Sequence, residues 1–345
     1  MHMVRRLAEL TKIDGISGNE KDVREFIIQN LEGKSLKFYT DNIGNLIVKG
    51  RSDGSSKLRV MAAAHMDEVG LMVNYITDDG KLKFSAVGGI DNRILPGQHV
   101  RVGRDKIPGV IGCKPIHLQD KSERGSAVNI KNLYIDIAAK DRENALELVN
   151  TGDYAAFASE PVFFGENRIK AKALDDRAGC AVLMELLEEV WPFEFYACFT
   201  VQEEVGLRGA LVAANRLKPD IGIVLEGTTC TDVPNVKEHE VSTVMGKGPS
   251  LSFADRTSLA DRGLLEHFAK TAEKEGIPYQ WKTTVSGGND AGRIQTSGTG
   301  VRTLVVSVPC RYIHSPVSVL DLDDLKNMHK LVSRALHTLP GALGR

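Results

Sequence analysis

The sequence contains five side chains of the kinds that bind divalent metal ions, near the ends of apolar runs or at the start of a helical pattern. They are His65, Asp175, Glu204, Glu226 and His314. A single such residue is more often an ordinary polar group or a helix N-cap. Two histidines and three carboxylates together favour a site for zinc, cobalt or manganese. Five ligands are more than one catalytic zinc takes, so a carboxylate shared by two ions is predicted.

Glu203 stands directly before Glu204, and the pair follows an apolar run of strand type at 195–201. Neighbouring side chains of an extended segment point to opposite sides, so two adjacent glutamates seldom do the same work. One of them can bind metal while the other faces the substrate as a general base. A pair of solvated surface glutamates is the alternative, but the apolar strand directly before them argues against it.

Strand-type and helix-type patterns alternate in the parts of the chain that carry these residues. Strands are predicted at 59–64, 195–201, 221–225 and 301–308, and helices at 4–10, 20–31, 176–191, 209–216, 259–275 and 321–339. Such alternation is typical of an α/β fold, in which helices cover both faces of a parallel or mixed sheet. Ligands bind outside the carboxyl ends of the strands in such sheets, which is where the polar residues stand.

The stretch 68–166 has a different residue pattern, in which short β-type runs alternate with turns rich in Gly, Pro and Asp. The runs lie at 70–76, 81–86, 98–102, 110–112, 133–137 and 154–157. A helical pattern occurs at 141–150, and the polar stretch 115–131 is predicted to be a long mobile loop. We therefore predict a β-rich domain at 68–166, inserted into a discontinuous α/β domain formed by 1–67 and 167–345.

Charge and cysteine content argue against several other classes of protein. The chain has 44 Lys and Arg residues against 45 Asp and Glu residues, so it presents no general field for nucleic acid or an anionic membrane. Its start lacks the apolar stretch of a signal peptide, and charges interrupt every apolar run before membrane-spanning length. The five cysteines are widely spaced, without a Cys-x-x-Cys pair. They predict reduced core residues of a cytoplasmic protein.

Four motifs resemble those of the tetrahedral aminopeptidases, a group of dinuclear metallopeptidases that includes glutamyl and deblocking aminopeptidases. The motifs are Ala64-His65-Met66-Asp67-Glu68-Val69-Gly70, Ala173-Leu174-Asp175-Asp176-Arg177, Val201-Gln202-Glu203-Glu204-Val205-Gly206 and Arg311-Tyr312-Ile313-His314-Ser315. The resemblance extends over nearly the whole chain, from Gly15-Ile16-Ser17-Gly18 onward. It implies a phosphorylase/hydrolase-like fold of the zinc-peptidase type, with a mixed sheet, helices on both faces and an inserted small β-rich barrel.

The resemblance also implies how the ligands are shared between two divalent metal ions. Asp175 would bridge the ions. His65 and Glu226 would complete the site of one ion, and Glu204 and His314 that of the other. Many members of the family have Asp at the position of Glu226, and the longer side chain can still reach an ion.

Further roles follow from the same resemblance. Glu203 would be the general base, and Asp67 would hold the His65 ring through its second nitrogen. A cis peptide bond is expected between Asp175 and Asp176. The reaction would be hydrolysis of the N-terminal bond of peptides with a free N-terminus, and a basic residue in the substrate pocket would favour N-terminal Glu or Asp.

The inserted β-rich stretch contains none of the predicted ligands, so contact between subunits is its predicted use. By resemblance, it would pair subunits into dimers, and six dimers would close into a tetrahedral dodecamer with inward-facing active sites. A lid domain on a monomer or a simple dimer is the alternative.

Other enzymatic interpretations use similar residues. A dinuclear carboxypeptidase or N-acyl amino acid deacylase would need a similar metal set, but chains of that kind carry their extra domain after the Glu-Glu motif. An endoglucanase would use two carboxylates as acid and nucleophile, which leaves the two histidines without a use. The run Ser286-Gly287-Gly288-Asn289-Asp290 is predicted to be a turn, with a place in the substrate site as the alternative.

Overall fold

The computed structural model describes residues 2–342, apart from the side chains of residues 122 and 123. Its α-helices are α1 (His2–Lys12), α2 (Lys21–Leu31), α3 (Lys121–Arg124), α4 (Arg142–Leu148), α5 (Leu174–Leu186), α6 (Arg208–Leu217), α7 (Arg262–Glu275), α8 (Ala291–Gln295) and α9 (Leu322–Ala342). No helix within this range is long and apolar enough to cross a membrane.

The strands belong to a large sheet, a barrel and a small two-stranded sheet. The strands of the large sheet are β1 (Lys37–Thr40), β2 (Leu46–Lys49), β4 (Arg59–His65), β11 (Val162–Phe164), β12 (Arg168–Ala171), β14 (Glu194–Thr200), β15 (Ile221–Thr229), β16 (Ser250–Ser252), β17 (Gln280–Lys282), β18 (Arg302–Arg311) and β19 (Ser318–Asp321). The barrel strands are β5 (Gly70–Ile76), β6 (Leu82–Val87), β7 (His99–Val102), β8 (Ile107–Gly112), β9 (Tyr134–Asp136) and β10 (Tyr154–Phe157), and the small sheet consists of β3 (Arg51–Ser52) and β13 (Val190–Trp191).

The large sheet is mixed, with the order β1-β2-β14-β4-β15-β18-β19-β12-β11. Its four central strands, β14, β4, β15 and β18, run parallel to one another. The flanking strands pair antiparallel, as β2 does with β14 and β19 with β18. The predicted mixed α/β sheet is therefore confirmed.

Strand β4 shows why helices cover both faces of this sheet. Val60 and Ala62 belong to one buried apolar cluster, which includes side chains of α1, α5, α7 and α9. Met61 and Ala63 belong to another, which includes side chains of α6 and α8. Successive side chains of a strand point to opposite faces, so an uninterrupted apolar run needs cover on both.

The inserted region forms a closed barrel in the order β10-β5-β6-β9-β8-β7, and the predicted β-rich barrel is confirmed. Its buried side chains, among them Leu71, Phe84 and Ile135, form an apolar core separate from those of the sheet. Strand β11 follows the barrel in the chain but pairs antiparallel with β12 at the edge of the large sheet.

Some predicted boundaries were wrong, because tertiary contacts override the local pattern. The helix predicted at 176–191 ends at Leu186, since Trp191 pairs in β13 with β3 and its indole Nε1 donates to the Leu186 carbonyl at 3.1 Å. The strand predicted at 221–225 continues to Thr229, so Glu226 lies within β15 and not after it. The stretch 115–131, predicted as one loop, contains α3 and two short 3₁₀ turns.

Candidate metal centre

All five predicted ligand residues come together at one edge of the large sheet. The carboxyl ends of the four parallel strands meet there, with His65 the last residue of β4 and Glu226 inside β15. Glu204 follows β14, and His314 follows β18. Asp175 stands at the start of α5, which packs against β4 and β15. Residues far apart in the chain thus share one site because parallel strands end at the same edge.

One group of potential metal ligands consists of His65, Asp175 and Glu226. The Nε2 atom of His65 lies 3.5 Å from Oδ1 of Asp175 and 3.7 Å from Oε2 of Glu226. One ligand atom of each residue lies within 4.8 Å of the other two. These three side chains can therefore face one ion.

A second group consists of Asp175, Glu204 and His314. The Nε2 atom of His314 lies 3.6 Å from Oδ2 of Asp175 and 3.4 Å from Oε2 of Glu204. One ligand atom of each again lies within 4.8 Å of the other two. Asp175 thus presents one carboxylate oxygen to each group.

The spacing and burial of these atoms fit bound divalent cations. Two ligands about 2.1 Å from a zinc ion, at the tetrahedral angle, are about 3.4 Å apart. The four nitrogen–oxygen separations range from 3.4 to 3.7 Å. Oδ1 of Asp175 and Oε1 of Glu226 are buried without a hydrogen-bond partner among the described residues. Burying a polar oxygen without a bonding partner costs free energy, and bound cations would be the partners of these two oxygens.

The electrostatics of the cluster also favour a bound cation. Burial raises the pKa of Glu204 to about 7, an effect opposed by His314 and reinforced by Asp175. Burial also raises the pKa of Glu203 and Glu226 well above the usual range. Burial disfavours the charged form of His314, but the contact with Asp175 and the charge of Glu204 outweigh it and raise the pKa to about 9. Protons held in this way are released when a metal ion binds.

Asp67 sets the orientation of the His65 ring through its backbone. The Nδ1 atom of His65 lies 3.0 Å from the Asp67 carbonyl oxygen and 3.5 Å from its carboxylate Oδ1. A carbonyl oxygen can only accept, so Nδ1 donates to it, and Nε2 is left facing Asp175 and Glu226, on the side where an ion would bind. The carbonyl is thus the nearer partner of the ring, whereas the sequence had pointed to Asp67 without distinguishing the two groups.

The carboxylate of Asp67 is fully buried and holds the Glu-Glu segment in place. It accepts the backbone N–H of Glu203 at 3.0 Å and that of Glu204 at 3.1 Å. The Ser17 hydroxyl also donates to it, at 2.6 Å. Burial alone would raise the pKa of Asp67, but the contacts with His65 and these donors hold it below its usual range.

No role in the site was predicted from the sequence for three polar residues that support it. One is Ser17, whose Gly-Ile-Ser-Gly motif entered the sequence analysis only as part of the family resemblance. Asp176 accepts the backbone N–H of His65 at 3.3 Å, and the predicted cis peptide bond between Asp175 and Asp176 is confirmed. Asp290 is buried and accepts the Thr200 hydroxyl at 2.6 Å. Its place at the end of a Gly-rich run was the signal available in the sequence.

A cavity of about 570 Å³ opens beside the metal centre. The five predicted ligand residues and Glu203 form part of its wall. The rest includes Gly206, Leu207, 227–229, Lys282 and the loop 286–289. The loop is irregular, as the turn prediction implies, but it also lines this cavity. The volume is that of a small-ligand site, large enough for the end of a peptide.

Comparison with known proteins gives similarity over nearly the full length of the chain. A model of the M42 glutamyl aminopeptidase family matches residues 44–331. The lysyl aminopeptidase of Pyrococcus furiosus is 32% identical over 341 residues, which cover 96% of this chain and 96% of that protein.

Solved structures of similar sequence have the same fold. The TET aminopeptidase of the marine sediment archaeon Thaumarchaeota archaeon SCGC AB-539-E09 is 34% identical, with a TM-score of 0.95 over 99% of this chain and 98% of that chain. The TET1 peptidase of Pyrococcus horikoshii, which can assemble into a tetrahedron or a large octahedral shell, is 38% identical, with a TM-score of 0.85 over 97% of this chain and 99% of its own.

Proposed function

The chain belongs to the M42 glutamyl aminopeptidase family, and we propose that it removes N-terminal residues from peptides with two metal ions and a glutamate as general base. Membership makes it a metal-dependent hydrolase that acts on peptides. The number of ions, their ligands and the base are the proposed part.

The proposal of two ions rests on the position of Asp175 between two groups of potential ligands. His65 and Glu226 would complete the site of one ion, and Glu204 and His314 that of the other. The ligand types suit zinc, cobalt or manganese. When bound, two such ions polarise the carbonyl of the scissile bond and lower the pKa of the attacking water.

Glu203 is proposed as the general base. Its carboxylate belongs to a group with His65 and Glu204 whose ligand atoms lie within 4.8 Å of one another, and it lines the cavity. Its backbone N–H is held by Asp67, so the side chain projects from an anchored segment. Burial raises its pKa, and a base with raised proton affinity can take the water proton and pass it to the leaving amine.

The free N-terminus of the peptide is the proposed determinant of the cleaved bond. An α-ammonium group next to the acidic wall of the cavity would be paired, whereas an acetylated amine would leave that wall unsatisfied. Acetylating a peptide should therefore reduce its cleavage sharply. Equal rates on free and acetylated peptides would favour the deacylase or an endopeptidase, and release of the C-terminal residue would favour the carboxypeptidase.

The domain division and the assembly are also proposals. Residues 68–166 would form a subunit-pairing domain on the discontinuous catalytic domain of 1–67 and 167–345. Within that stretch, Val162, Phe163 and Phe164 are exposed on the edge strand β11, a surface suited to contact with a second copy. The similar TET1 peptidase forms closed shells, and we propose dimers that assemble into a dodecamer here.

Light scattering tests the assembly. A dodecamer would have about twelve times the chain mass of 37.7 kDa. Phe163→Asp should yield smaller particles with the site intact. A wild-type dimer that cleaves long peptides at full rate would show that the shell has no part in the function.

Chelation tests the metal proposal directly. Dialysis against a chelator should abolish peptide hydrolysis, and zinc, cobalt or manganese should restore it. Mass spectrometry should find two ions per chain in the restored protein. Full activity in metal-free protein would rule out the mechanism, and full activity with a single ion would rule out the dinuclear site.

A further inference from the structure

A second cavity, of about 560 Å³, lies at the end of the large sheet away from the metal centre. Its walls come from β1, β2, β14, the start of β4 and the last turn of α6. Arg59 is the residue of β4 that lines it, and Arg59 begins that strand, whereas the predicted ligand His65 ends it. The second cavity is therefore separate from the metal centre, and the proposed function does not use it.

The charged side chains that line the second cavity are all basic. They are Lys37, Lys49, Arg59 and Arg216. Within the part of the chain that the structure describes, no carboxylate contributes to this wall. A concave wall of one sign concentrates its field on small ligands of the opposite sign, so this cavity favours anions.

One carboxylate behind the wall is shared by two of these cations. Glu194 Oε1 lies 2.7 Å from Lys49 Nζ, and Glu194 Oε2 accepts a hydrogen bond of 3.0 Å from Nε of Arg59. Arg59 also donates to the Leu217 carbonyl oxygen at 2.8 Å, at the end of α6. Arg59 thus has structural partners, whereas Lys49 shares its carboxylate with a second cation.

The other two cations have no such partner. Within residues 2–342, neither Lys37 nor Arg216 forms an ion pair or a side-chain hydrogen bond. A second carboxylate close to the cavity is Asp220, which accepts the backbone N–H of Arg59 at 2.9 Å. Even with Asp220 and Glu194 counted, the four cations leave an excess of positive charge at this place.

The strand register brings two of the lysines together. Lys37 of β1 is paired directly with Lys49 of β2, and Lys49 is paired with Tyr196 of β14. Residues paired in this way lie side by side on one face of the sheet, and like charges directly opposite each other are destabilising. An anion bound between Lys37 and Lys49 would remove this repulsion.

Planar and apolar groups form the rest of the wall. The Arg216 guanidinium lies over the Tyr39 ring, 3.7 Å from its centroid, and Lys49 Nζ lies 5.4 Å from the centroid of Tyr196. Arg216 is itself exposed. Guanidinium planes and aromatic rings are the surfaces on which nucleic-acid bases stack in proteins.

We propose that the second cavity binds a nucleotide, with its phosphate between Lys37 and Lys49 and its base on the guanidinium plane of Arg216. The phosphate would accept charge-assisted hydrogen bonds from the two lysines. The base would extend the stack that Arg216 and Tyr39 begin. The volume lies in the range of sites for small organic ligands.

Calorimetry on the metal-loaded protein tests the proposal with adenosine monophosphate (AMP), adenosine and inorganic phosphate. AMP should bind at least about 10-fold more tightly than either fragment, because it combines stacking with charge-assisted bonds. Its affinity should fall as salt is added. Phosphate that binds as tightly as AMP would overturn the nucleotide assignment, and so would adenosine that binds as tightly as AMP.

Two substitutions separate the parts of the ligand. Lys49→Met keeps the length of the side chain, leaves Glu194 paired with Arg59, and should weaken AMP binding by roughly 10-fold. Arg216→Met should remove most of the advantage of AMP over phosphate. The matched control is Lys170→Met, a strand lysine of β12 outside the cavity, which should bind AMP as the wild type does. Unchanged AMP affinity in Lys49→Met and Arg216→Met would overturn the proposal.

Lys37→Met distinguishes a ligand site from a structural role. It relieves the repulsion with Lys49, so it should weaken AMP binding without lowering the free energy of unfolding. Urea unfolding and calorimetry of the same variant measure both. A less stable variant that binds AMP as the wild type does would show that Lys37 serves the fold, and would overturn the proposal.

Two further measurements identify other occupants. If a chelator abolishes AMP binding while Lys49→Met binds AMP as the wild type does, the phosphate sits on the metal ions and the proposal fails. A short poly-glutamate peptide tests for an acidic protein segment. If that peptide binds, loses affinity in Lys49→Met, and AMP does not bind, the cavity takes a peptide and the nucleotide proposal fails.

Discussion

Two buried clusters of charged side chains arise from neighbouring residues of the same segments, and they differ in how their charges are balanced. One is the metal centre described above. The other, the ion-paired cluster, consists of Asp14, Glu68, Arg101, Lys172 and Arg177. Glu68 directly follows Asp67 of the metal site, and Lys172 and Arg177 flank Asp175 in the chain. Three members of the ion-paired cluster therefore come from stretches of sequence that also build the candidate metal centre.

In the ion-paired cluster, opposite charges are in contact. Lys172 Nζ lies 2.6 Å from Glu68 Oε1, and the two side chains are 1% and 3% exposed. Lys172 also lies 3.3 Å from Asp14, to which Arg101 donates two hydrogen bonds of 2.6 and 2.9 Å. Arg177 donates to the Leu10 carbonyl at 2.8 Å and has Nη2 at 3.7 Å from Glu68. This cluster joins α1, the barrel and the sheet.

The candidate metal centre differs in the sign of its charged groups. It gathers four carboxylates, with Glu203, against two imidazoles, whereas the ion-paired cluster has two carboxylates against three basic groups. A buried ion pair such as Lys172 with Glu68 stabilises a fold only modestly but is costly to break. Four ionised carboxylates against two imidazoles would leave an excess of negative charge, which divalent cations would balance. The ion-paired cluster therefore finds its counter-charges within the chain, whereas the candidate metal centre has more carboxylates than basic groups.

The largest expected effects come from the Glu-Glu pair of the metal centre. Glu203→Gln should lower kcat by roughly 10²–10⁴ with metal content retained, because a positioned base is lost while the ligands remain. Glu204→Gln should lose bound metal, since it removes a ligand charge. Kinetics and metal analysis by mass spectrometry check both. The reverse pattern of metal loss would show that the two roles are exchanged.

Next in size is the expected effect of breaking the ion-paired cluster. Lys172→Met should lower the free energy of unfolding by about 3–5 kcal/mol, because it leaves Glu68 buried and charged without its nearest cation, with Arg177 Nη2 3.7 Å away. Urea unfolding of the metal-loaded protein measures this. The double variant with Glu68→Gln should recover part of the loss. A loss below about 1 kcal/mol, with no recovery in the double variant, would show that the cluster is not structural.

Lowering the pH should weaken the ion-paired cluster at Asp14, with a smaller effect on stability than Lys172→Met. Burial alone would raise the pKa of Asp14, but the Arg101 hydrogen bond and the charges of Lys172 and Arg101 hold it below the usual value of 3.8. A lowered acid pKa contributes stability above the unfolded value and loses it as the pH falls through the folded one. Wild-type protein should therefore lose more stability than Asp14→Asn when the pH falls below about 4. Equal losses in urea titrations at several pH values would contradict this.

The smallest effect is expected at an exposed ion pair. Lys12 and Glu9 lie 2.8 Å apart, with 43% and 44% of their side chains exposed. Lys12→Ala should change the free energy of unfolding by no more than about 0.5 kcal/mol, because water and salt screen such pairs. It is the control for Lys172→Met. An equal effect of the two substitutions would mean that burial does not set the cost of an unpaired charge here.

Much of the site was predictable because its signals are local. His65 and Glu203 stand at the ends of apolar strand patterns, and the edge of a parallel sheet gathers whatever follows its strands. The helix after Asp175 was predicted as well, but its end was not. Its apolar periodicity runs past Leu186, and the pairing of Trp191 with a strand far away in the chain ends it.

The sequence by itself determined the α/β alternation, the β-rich insertion and the kinds of side chain available to bind metal, because side-chain chemistry and periodicity are properties of short segments. The tertiary structure decided which oxygen of Asp175 faces which group, and that Glu68 meets Lys172, 104 positions away. It also placed Lys282 in the cavity wall. Contacts of this kind depend on how distant segments pack, and no local pattern of residues encodes the distance between two of them.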